Sequence, residues 1–343
     1  MNKRIKVGVV FGGSSTEREV SLITGRSICE NLDTQKYIVS VIEMDKTQQF
    51  WLKEKRNKRL VDFANKDRKK FDIIFIALHG SPGEDGSLQG MFETLGIKYT
   101  GSGVLASALA MNKVYAAQIY IINKLPHPEF IHFKKTGWEN YKKNILKDIT
   151  TIVGYPAVIK PVDQGSAIGV SIVQNEKDLI TVINKTIKEF PWLMVQKFIK
   201  GQEATCGVLE KRGKIFALPP TRIIANAGDF YNYQSKYSQG GSTHICPAYF
   251  GQETNKRLQD LALSAHRALQ CRGMSRTDIF VADEKEKGCG CDSHGESHEH
   301  NKLYIIETNT IPGMTPTSLL PEAAKKAGIK FSEMLDLIIE ASL

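Results

Sequence analysis

Two short apolar runs, each followed at once by a glycine-rich loop, constrain the fold of this chain most. They occupy residues 5–11 and 72–78. Continuous apolar runs of this length are typical of strands buried on both faces, as in parallel sheets. Apolar residues from Glu17 to Leu32 recur with helical spacing. The first hundred residues therefore predict a βαβ-type domain whose functional groups lie at the carboxyl ends of the strands.

The rest of the chain predicts further domains, because 343 residues are too many for one small core. A Gly-Ser-Gly turn at 101–103 precedes a smaller α+β region, and strands resume after Lys200. We expect an N-terminal domain at 1–103, a central domain at 104–199 and a C-terminal domain at 200–343. The elements expected in the last two are a helix at 104–113, strands at 157–160, 170–173 and 193–196, a helix at 176–189, strands at 203–209 and 214–218, a helix at 252–271, strands at 277–282 and 303–307, and a helix at 328–342.

Composition narrows the class of protein. Hydrophobic residues make up 41% of the chain and charged residues 24%, as in ordinary globular proteins. No apolar run approaches the roughly 20 residues that span a bilayer, and residues 1–10 form a short strand without a signal-peptide cleavage site. We therefore expect a cytoplasmic protein with no membrane association. The net charge of +9 suits anionic substrates such as ATP and carboxylates. With no nucleic-acid motif, we expect no nucleic-acid partner.

The six cysteines divide into two groups. Four lie singly in apolar or strand-like contexts, where a free cysteine is usually a small core residue. The other two belong to a low-complexity insert at 284–301, which we expect to be an extended hairpin loop. Its cysteine and imidazole side chains leave open a zinc or copper site, although their spacing matches no standard zinc module. The side chains in question are Cys289, Cys291, His294, His298 and His300.

A carboxylate and an amide lie two residues apart at the end of a predicted strand, in Glu307-Thr308-Asn309. Side chains in a strand alternate with period two, so Glu307 and Asn309 point the same way. Asp278, on another predicted strand, supplies a second carboxylate. Such oxygens are hard ligands suited to Mg²⁺. This pattern predicts a site for one or two Mg²⁺ ions beside a nucleoside triphosphate, although a plain strand end running into a turn remains an alternative.

Three other segments contain groups that ATP chemistry uses. Lys160 follows a strand and precedes a glycine-containing loop, an arrangement that can hold phosphates without being a Walker A loop. Glu17 follows a glycine-rich loop at a helix start, where it either caps the helix or anchors a substrate ammonium. The long aromatic loop at 226–243, which contains Lys236 and Tyr237, predicts a lid.

Taken together, these segments resemble the D-alanine–D-alanine ligase family of the ATP-grasp superfamily over nearly the whole chain. Each motif is modestly specific, but their order is highly specific. The motifs are residues 11–21 (FGGSSTEREVS), 78–80 (LHG) with 83–86 (GEDG), 99–103 (YTGSG), Lys160-Pro161 with Gly165-Ser166, Lys236-Tyr237, Arg276-x-Asp278, and 307–315 (ETNTIPGMT).

The resemblance implies a three-domain ATP-grasp fold of α/β and α+β type, with a Rossmann-like parallel sheet in the N-terminal domain. It also implies ATP-dependent joining of two D-alanines through a D-alanyl phosphate, for peptidoglycan precursor synthesis. ATP would lie between the second and third domains, with two Mg²⁺ ions that Mn²⁺ could replace. A homodimer is expected as well.

The resemblance also implies roles for individual residues. For the first D-alanine these are Glu17, Ser166, Tyr237 and His79, and for the carboxylate of the second they are Lys236, Ser318 and Leu319. The oxyanion would be stabilised by Arg276 and Gly313. ATP would be held by Lys113 and Lys160 at its phosphates, by Glu203 at its ribose, and by Gln196, Lys197 and Ile199 at its adenine. The metal ligands would be Asp278, Glu307 and Asn309.

Three features depart from the family pattern: Gln196 where glutamate is frequent, Ser275 where glycine is common, and the insert itself. A D-alanine–D-lactate ligase, or another ATP-grasp carboxylate–amine ligase, is the nearest alternative function. Tyr237 favours an amide product, since a phenylalanine at this position is associated with ester-forming relatives.

Overall fold

The computed structural model describes residues 3–54, 57–225, 241–287 and 299–343. Its elements are arranged in three separate sheets with helices packed around them. The predicted mixture of α/β and α+β structure is confirmed. No single helix in the described part is long and apolar enough to cross a membrane; one pair of consecutive helices passes that test only when joined across a bend of 103°.

The first sheet is built on the two apolar runs. Its strands lie in the order β4-β3-β2-β1-β5, and β1 pairs in parallel with both β2 and β5. All four residues of β5 are fully buried, as the continuous apolar pattern predicted. The first elements are β1 (Ile5–Gly12), α1 (Arg18–Asn31), β2 (Tyr37–Met44), β3 (Phe50–Lys53), β4 (Lys58–Leu60), β5 (Ile73–Ile76) and α2 (Ser87–Thr94).

The edge of this sheet differs from the prediction. Strands β3 and β4 add antiparallel pairs beyond β2, so the sheet is mixed. Helix α1 lies very close to β1, because a Cβ on Gly25 would be 2.1 Å from the Phe11 ring. A glycine in the helix interior costs helix stability, and the close approach accounts for it. This packing fixes the start of α1, and with it Glu17, at the carboxyl end of β1.

The second sheet has four strands in the order β6-β9-β7-β8. The predicted helix from Val104 is in fact two helices, because Asn112 interrupts it. The Asn112 side chain accepts hydrogen bonds from the backbone N–H groups of Val114 and Tyr115 and caps the second helix. The elements are α3 (Val104–Met111), α4 (Lys113–Ile122), β6 (Phe130–Lys134), α5 (Lys135–Asp148) with a π-helical turn at Ile149–Val153, β7 (Ala157–Pro161), β8 (Ser171–Val173), α6 (Glu176–Thr186) and β9 (Trp192–Lys197).

The third sheet has six strands, with β13-β12-β10-β14-β15 in order and β11 paired to β10. It contains the strand pair that was expected to bear the carboxylates. The elements are β10 (Gly201–Lys211), β11 (Lys214–Ala217), β12 (Thr221–Ala225), β13 (Ser242–Ile245), α7 (Gln252–Ala268), β14 (Met274–Lys287), β15 (Glu299–Asn309), α8 (Leu319–Lys326) and α9 (Phe331–Glu340).

Two predicted loop boundaries need correction. Residues 242 and 243 belong to β13, so they are not part of the predicted lid, whose residues 226–240 lie outside the described part of the chain. The insert predicted at 284–301 is shorter, because β14 and β15 continue to pair as far as Lys287 and Glu299. The two strands do form a hairpin, as expected. Residues 288–298 at its tip lie outside the described residues.

The C-terminal helices also differ from prediction. The expected helix at 328–342 is α9, and α8 precedes it where no helix was expected. Helix α9 packs against the first sheet, where its Asp336 carboxylate accepts hydrogen bonds from Tyr37 Oη at 2.8 Å and Lys36 Nζ at 2.5 Å. The first and third sheets are thereby held together, with their functional ends facing a common space.

Candidate active site

Two neighbouring cavities lie where the three sheets meet. The larger, of about 530 Å³, is lined by the loops after β1 and β5, the loop after β7 and the ends of β14 and β15. The smaller, of about 90 Å³, lies between the second and third sheets. Lys113, Gln164 and Glu307 line both cavities. The two cavities therefore adjoin at these three residues.

Every predicted site residue within the described part of the chain lines one of the two cavities. Those lining the larger are Glu17, His79, Ser166, Arg276, Asn309, Gly313, Ser318 and Leu319, besides the shared Lys113 and Glu307. Those lining the smaller are Lys160, Gln196, Lys197, Ile199, Glu203 and Asp278, besides the same shared pair. The remaining two, Lys236 and Tyr237, lie outside the described residues.

Glu17 occupies the position just before α1 but does not cap the helix. Its side chain accepts no hydrogen bond from the helix backbone, and the Ser166 hydroxyl donates to its carboxylate instead. Ser166 and Ala167 have φ of +51° and +57°, a left-handed conformation that non-glycine residues rarely adopt. This loop therefore joins the start of α1 from across the cavity, which favours the substrate-anchor interpretation of Glu17 over the capping one.

Titratable groups surround Glu17 on the other side. His79 is buried, and its Nε2 lies 3.0 Å from Thr24 Oγ1. The Glu84 carboxylate accepts from the Gly80 N–H at 2.8 Å. Desolvation, and then the neighbouring Glu17 carboxylate, raises the pKa of Glu84 to about 8. Burial lowers the pKa of His79. The two carboxyl groups thus face a region where a bound cation would be stabilised.

The ends of β14 and β15 place acidic and amide groups side by side. Asp278 lies directly opposite Glu307 in the antiparallel pair, and Arg276 lies opposite Asn309. Arg276 binds Asp278 through two contacts, Nε to Oδ1 at 3.0 Å and Nη2 to Oδ2 at 2.9 Å. Thr205 Oγ1 also donates to Asp278 Oδ1, at 2.6 Å. Asp278 therefore has its partners in place before any metal arrives.

The same oxygen atoms suit Mg²⁺. Asn309 Nδ2 lies 3.4 Å from Asp278 Oδ2, and Glu307 is the residue opposite Asp278, so the three side chains share one face. Carboxylate and amide oxygens are the donors that this ion prefers. This set contains two carboxylates and one amide; no group of three or more His, Cys, Asp or Glu side chains in the described residues is arranged to hold a metal.

Two lysines line the smaller cavity. Lys113, the first residue of α4, donates to the Gln164 carbonyl at 2.5 Å and lies 3.4 Å from Glu307 Oε2. Lys160, at the end of β7, is 5% exposed. Burial, and then the Lys113 cation, lowers the pKa of Lys160 to about 7. A polyanion bound beside these two amines would favour the charged form of both.

The segment at 313–319 closes the larger cavity. Ser318 precedes α8, and its hydroxyl accepts from the Thr315 N–H at 3.1 Å. A Cβ on Gly313 would lie 2.9 Å from Ser318 Oγ, so only glycine lets this turn approach so closely. Leu319 adds an apolar wall. Because α8 begins here, the backbone N–H groups of its first turn face the cavity end, where they suit a carboxylate.

The comparisons with known proteins agree with this site. A family model described as "D-ala D-ala ligase C-terminus" matches residues 122–289 and 291–340, and one described as "D-ala D-ala ligase N-terminus" matches residues 6–68 and 55–102. The chain belongs to the D-alanine–D-alanine ligase family. It is therefore an ATP-dependent ligase.

Individual relatives align with almost the whole length of this chain. The D-alanine–D-alanine ligase of Leptospira interrogans is 37% identical over 364 residues, with 98% of each chain covered. The VanG D-Ala:D-Ser ligase from Enterococcus faecalis has a TM-score of 0.82 and 30% identity, covering 99% of this chain and 100% of the other. The D-alanine–D-alanine ligase from Bacillus anthracis complexed with ATP has a TM-score of 0.75 and 31% identity, covering 98% and 97%.

Three cavity residues of the ligase were missed in the sequence. Glu84 was seen only as part of a motif, and Gln164 only as a loop residue. His244 lines the larger cavity, and its Nδ1 lies 2.7 Å from Glu322 Oε2 on α8. Nothing in the periodicity of the chain brings His244 and Glu322 together, because they lie 78 positions apart.

The alternative metal site in the insert gains no support from its described member. His300 lies in β15, where its Nε2 is 2.8 Å from Glu253 Oε1 on α7. The other four candidates, Cys289, Cys291, His294 and His298, lie outside the described residues. Cys29, Cys206, Cys246 and Cys271 are free thiols, as expected.

Proposed function

We propose that this ligase joins two D-alanines into D-alanyl-D-alanine, converting ATP to ADP and phosphate, as a step in peptidoglycan precursor synthesis. The observation that carries the proposal is the meeting of the two cavities at Lys113 and Glu307. One cavity has paired carboxyl groups suited to an ammonium, and the other has paired lysines suited to a triphosphate. An amino acid and a nucleotide bound in these two spaces would meet where the cavities adjoin.

In the first step, a carboxylate oxygen of the first D-alanine attacks the γ-phosphorus of ATP, and ADP leaves with the bonding electron pair. Glu17 binds the substrate ammonium, and Ser166 and Tyr237 complete a hydrogen-bonded set around Glu17. His79 contacts the same substrate. This arrangement would hold the carboxylate next to the phosphates. Much of the entropy lost in bringing the two reactants together is then lost when they bind, before the chemical step.

In the second step, the unprotonated amine of the second D-alanine attacks the carbonyl carbon of D-alanyl phosphate. The carbonyl electron pair moves onto oxygen, where Arg276 and the N–H of Gly313 stabilise it. The pair then returns, phosphate leaves with the bonding electrons, and the extra proton on the new amide nitrogen passes to the departing phosphate. The carboxylate of the second D-alanine is held by Lys236, Ser318 and Leu319.

ATP is gripped between the second and third sheets. Lys113 and Lys160 neutralise its phosphates, and Glu203 accepts from the ribose hydroxyls. Gln196, Lys197 and Ile199 line the adenine slot, in keeping with their places around the smaller cavity.

Asp278, Glu307 and Asn309 would hold two Mg²⁺ ions, which Mn²⁺ could replace. When bound, the ions neutralise phosphate charge and polarise the phosphoryl group. Arg276 must then exchange its contacts with Asp278 for contacts with the substrate. The acyl phosphate must also be kept from water, which a lid formed from residues 226–241 would do on closing.

The chain divides into the three domains 1–103, 104–199 and 200–343, each containing one of the three sheets. We also expect a homodimer and a cytoplasmic location. Sedimentation velocity over a range of concentrations tests the first expectation, and cell fractionation tests the second.

The second candidate is a ligase that uses another acceptor, favoured by the likeness to a D-Ala:D-Ser ligase and open also to D-lactate. The test offers ATP, Mg²⁺ and D-alanine, alone or with D-serine or D-lactate, and separates the products by mass. We expect D-alanyl-D-alanine as the main product from every mixture. A predominance of D-alanyl-D-serine or of the ester would replace the proposal by the second candidate.

Tyr237→Phe sharpens this test. Loss of its hydroxyl leaves Ser166 or Glu17 short of a partner, at a cost of about 1–3 kcal/mol where that partner is buried. We expect the variant to fold, to make less dipeptide, and to gain ester formation with D-lactate near neutral pH. An unchanged ratio of amide to ester would contradict this role of Tyr237.

A further inference from the structure

His127 lies beside the adenine end of the smaller cavity and contacts Gln196, which lines that cavity. The His127 ring precedes β6, and Phe130 at the start of β6 pairs with Gln196 across the sheet. The register of β6 and β9 therefore brings His127 to Gln196. The ring is also packed edge-to-face on Phe130, with centroids 5.3 Å apart, which fixes its plane.

The two ring nitrogens of His127 have different partners. Nδ1 lies 2.8 Å from the Pro128 carbonyl oxygen. A carbonyl oxygen only accepts, so the hydrogen is on Nδ1. Nε2 lies 3.1 Å from Gln196 Nε2. Burial, and then the Lys160 cation, lowers the pKa of His127 to about 3, so the ring is neutral near pH 7 and Nε2 is an acceptor.

An acceptor at this position decides which way the Gln196 amide faces. The amide N–H of Gln196 donates to His127 Nε2, and the reversed amide would place Oε1 against a lone pair. Gln196 is 3% exposed, so water cannot readily compensate for that loss. Among the residues that the structure describes, none donates a hydrogen bond to Gln196 Oε1. This oxygen is left to accept from a ligand in the smaller cavity.

We propose that His127 is a positioning residue for nucleotide specificity, which orients Gln196 so that the site accepts adenine and rejects 6-oxopurines. This rests on the proposed place of Gln196 in the adenine slot. Adenine presents a donor at its exocyclic amine, whereas guanine and hypoxanthine present an acceptor oxygen there. A glutamate at 196 could only accept. A glutamine can face either way, and His127 removes that freedom.

The experiment measures binding of the imido analogue of ATP and its inosine counterpart by titration calorimetry, with Mg²⁺ and without D-alanine. We expect His127→Leu to lower the preference for the adenine nucleotide roughly tenfold, because a freed amide turns its N–H toward the oxo group. His132→Leu, an exposed histidine on β6, is the matched control and should leave the preference unchanged.

A double-mutant cycle separates orientation from damage to the pocket. In a Gln196→Glu background, His127→Leu should leave the preference unchanged, because a carboxylate accepts in either orientation. Equal weakening of both nucleotides by His127→Leu, or the same change in both backgrounds, would overturn the assignment. Because D-alanine is absent, an error in the proposed ligation substrate would not affect this result.

Discussion

The two cavities carry opposite versions of one electrostatic arrangement. In the larger, Glu17 and Glu84 face each other, and the pKa of Glu84 is raised to about 8. In the smaller, Lys113 and Lys160 do the same, and the pKa of Lys160 is lowered to about 7. Each cavity holds like charges together and partly neutralises one of them. Each therefore favours a ligand whose charge is opposite to that of its paired side chains: an ammonium in the larger cavity and a polyphosphate in the smaller.

Substitutions of the acidic residues where the two cavities adjoin should have the largest effect on activity. Asp278→Asn or Glu307→Gln removes a carboxylate at the junction, and with it the neutralisation of phosphate charge by Mg²⁺. We expect turnover to fall roughly 10³-fold or more. Steady-state ligation at several Mg²⁺ concentrations measures the effect, and thermal unfolding checks that the fold is intact. Near-normal ligation by either variant at low Mg²⁺ would remove these residues from the metal site.

Arg276 stands on the side of the larger cavity and should show the next largest effect. Arg276→Ala removes an oxyanion donor, for which we expect a loss of roughly 10²–10³ in kcat. It also leaves Asp278 without its two-contact partner, so Arg276→Lys is measured beside it as a variant that keeps the charge. If the only change were weaker ATP binding, Arg276 would belong to the nucleotide cavity instead.

The lowered pKa of Lys160, in the smaller cavity, predicts that ATP binding is accompanied by a measurable proton uptake. At pH 8 the Lys160 amine of the free protein is mostly neutral, because its pKa is about 7. A bound triphosphate favours the charged form, so ATP binding should take up about one proton. Calorimetric titrations in buffers of different ionisation enthalpy give the number. Lys160→Met should abolish the uptake, and an undiminished uptake in that variant would assign it to another group.

The lowered pKa of Lys160 also predicts the direction in which the free energy of unfolding changes with pH. The pKa of Lys160 is lower in the folded protein than its ordinary value of 10.5, so the unfolded chain binds more protons between about pH 7 and 10.5. The free energy of unfolding of the ligand-free protein should therefore gain a contribution that rises with pH across that window. Urea titrations of the parent and of Lys160→Met at pH 7 and pH 9 isolate it as the difference between the two pH dependences.

The parts of the site that depend on local strand geometry could be predicted from the sequence. The parts that depend on side-chain caps or on contacts between distant residues could not. Period-two alternation predicts that Glu307 and Asn309 share one face, because both lie on one strand. The position of Asp278 opposite Glu307 depends on the pairing of β14 with β15, which alternation alone does not give. Asn112 was missed because the apolar pattern runs through it and only its side-chain cap breaks the helix. His244 could not be found this way, since its partner Glu322 is 78 positions away.

A smaller effect is expected from that missed pair. His244 Nδ1 and Glu322 Oε2, 2.7 Å apart, connect β13 to the first turn of α8, beside the proposed site for the second D-alanine. Glu322→Gln should raise KM for the second D-alanine by about 3- to 10-fold, the cost of weakening one charge-assisted hydrogen bond. Initial rates over a wide D-alanine range separate the two substrate constants. Equal changes in both would show that the pair does not act on the second site alone.

Shortening the connection between β14 and β15 should have the smallest effect on activity. It tests whether a part of the chain outside both cavities contributes to ligation. One end of the hairpin contains Asp278 and Glu307, whereas strand pairing continues at the other end to Lys287 and Glu299. Replacing residues 288–298 with a short glycine-containing turn keeps every described strand pair. We expect kcat and both substrate constants to stay within about twofold, since shortening the connection between two paired strands changes loop-closure entropy only slightly. Ligation assays and zinc analysis are run on the parent and the shortened protein. A shortened protein that folds but does not ligate would contradict the interpretation of the insert as a plain hairpin loop. Stoichiometric Zn²⁺ bound only by the parent would support the alternative metal site.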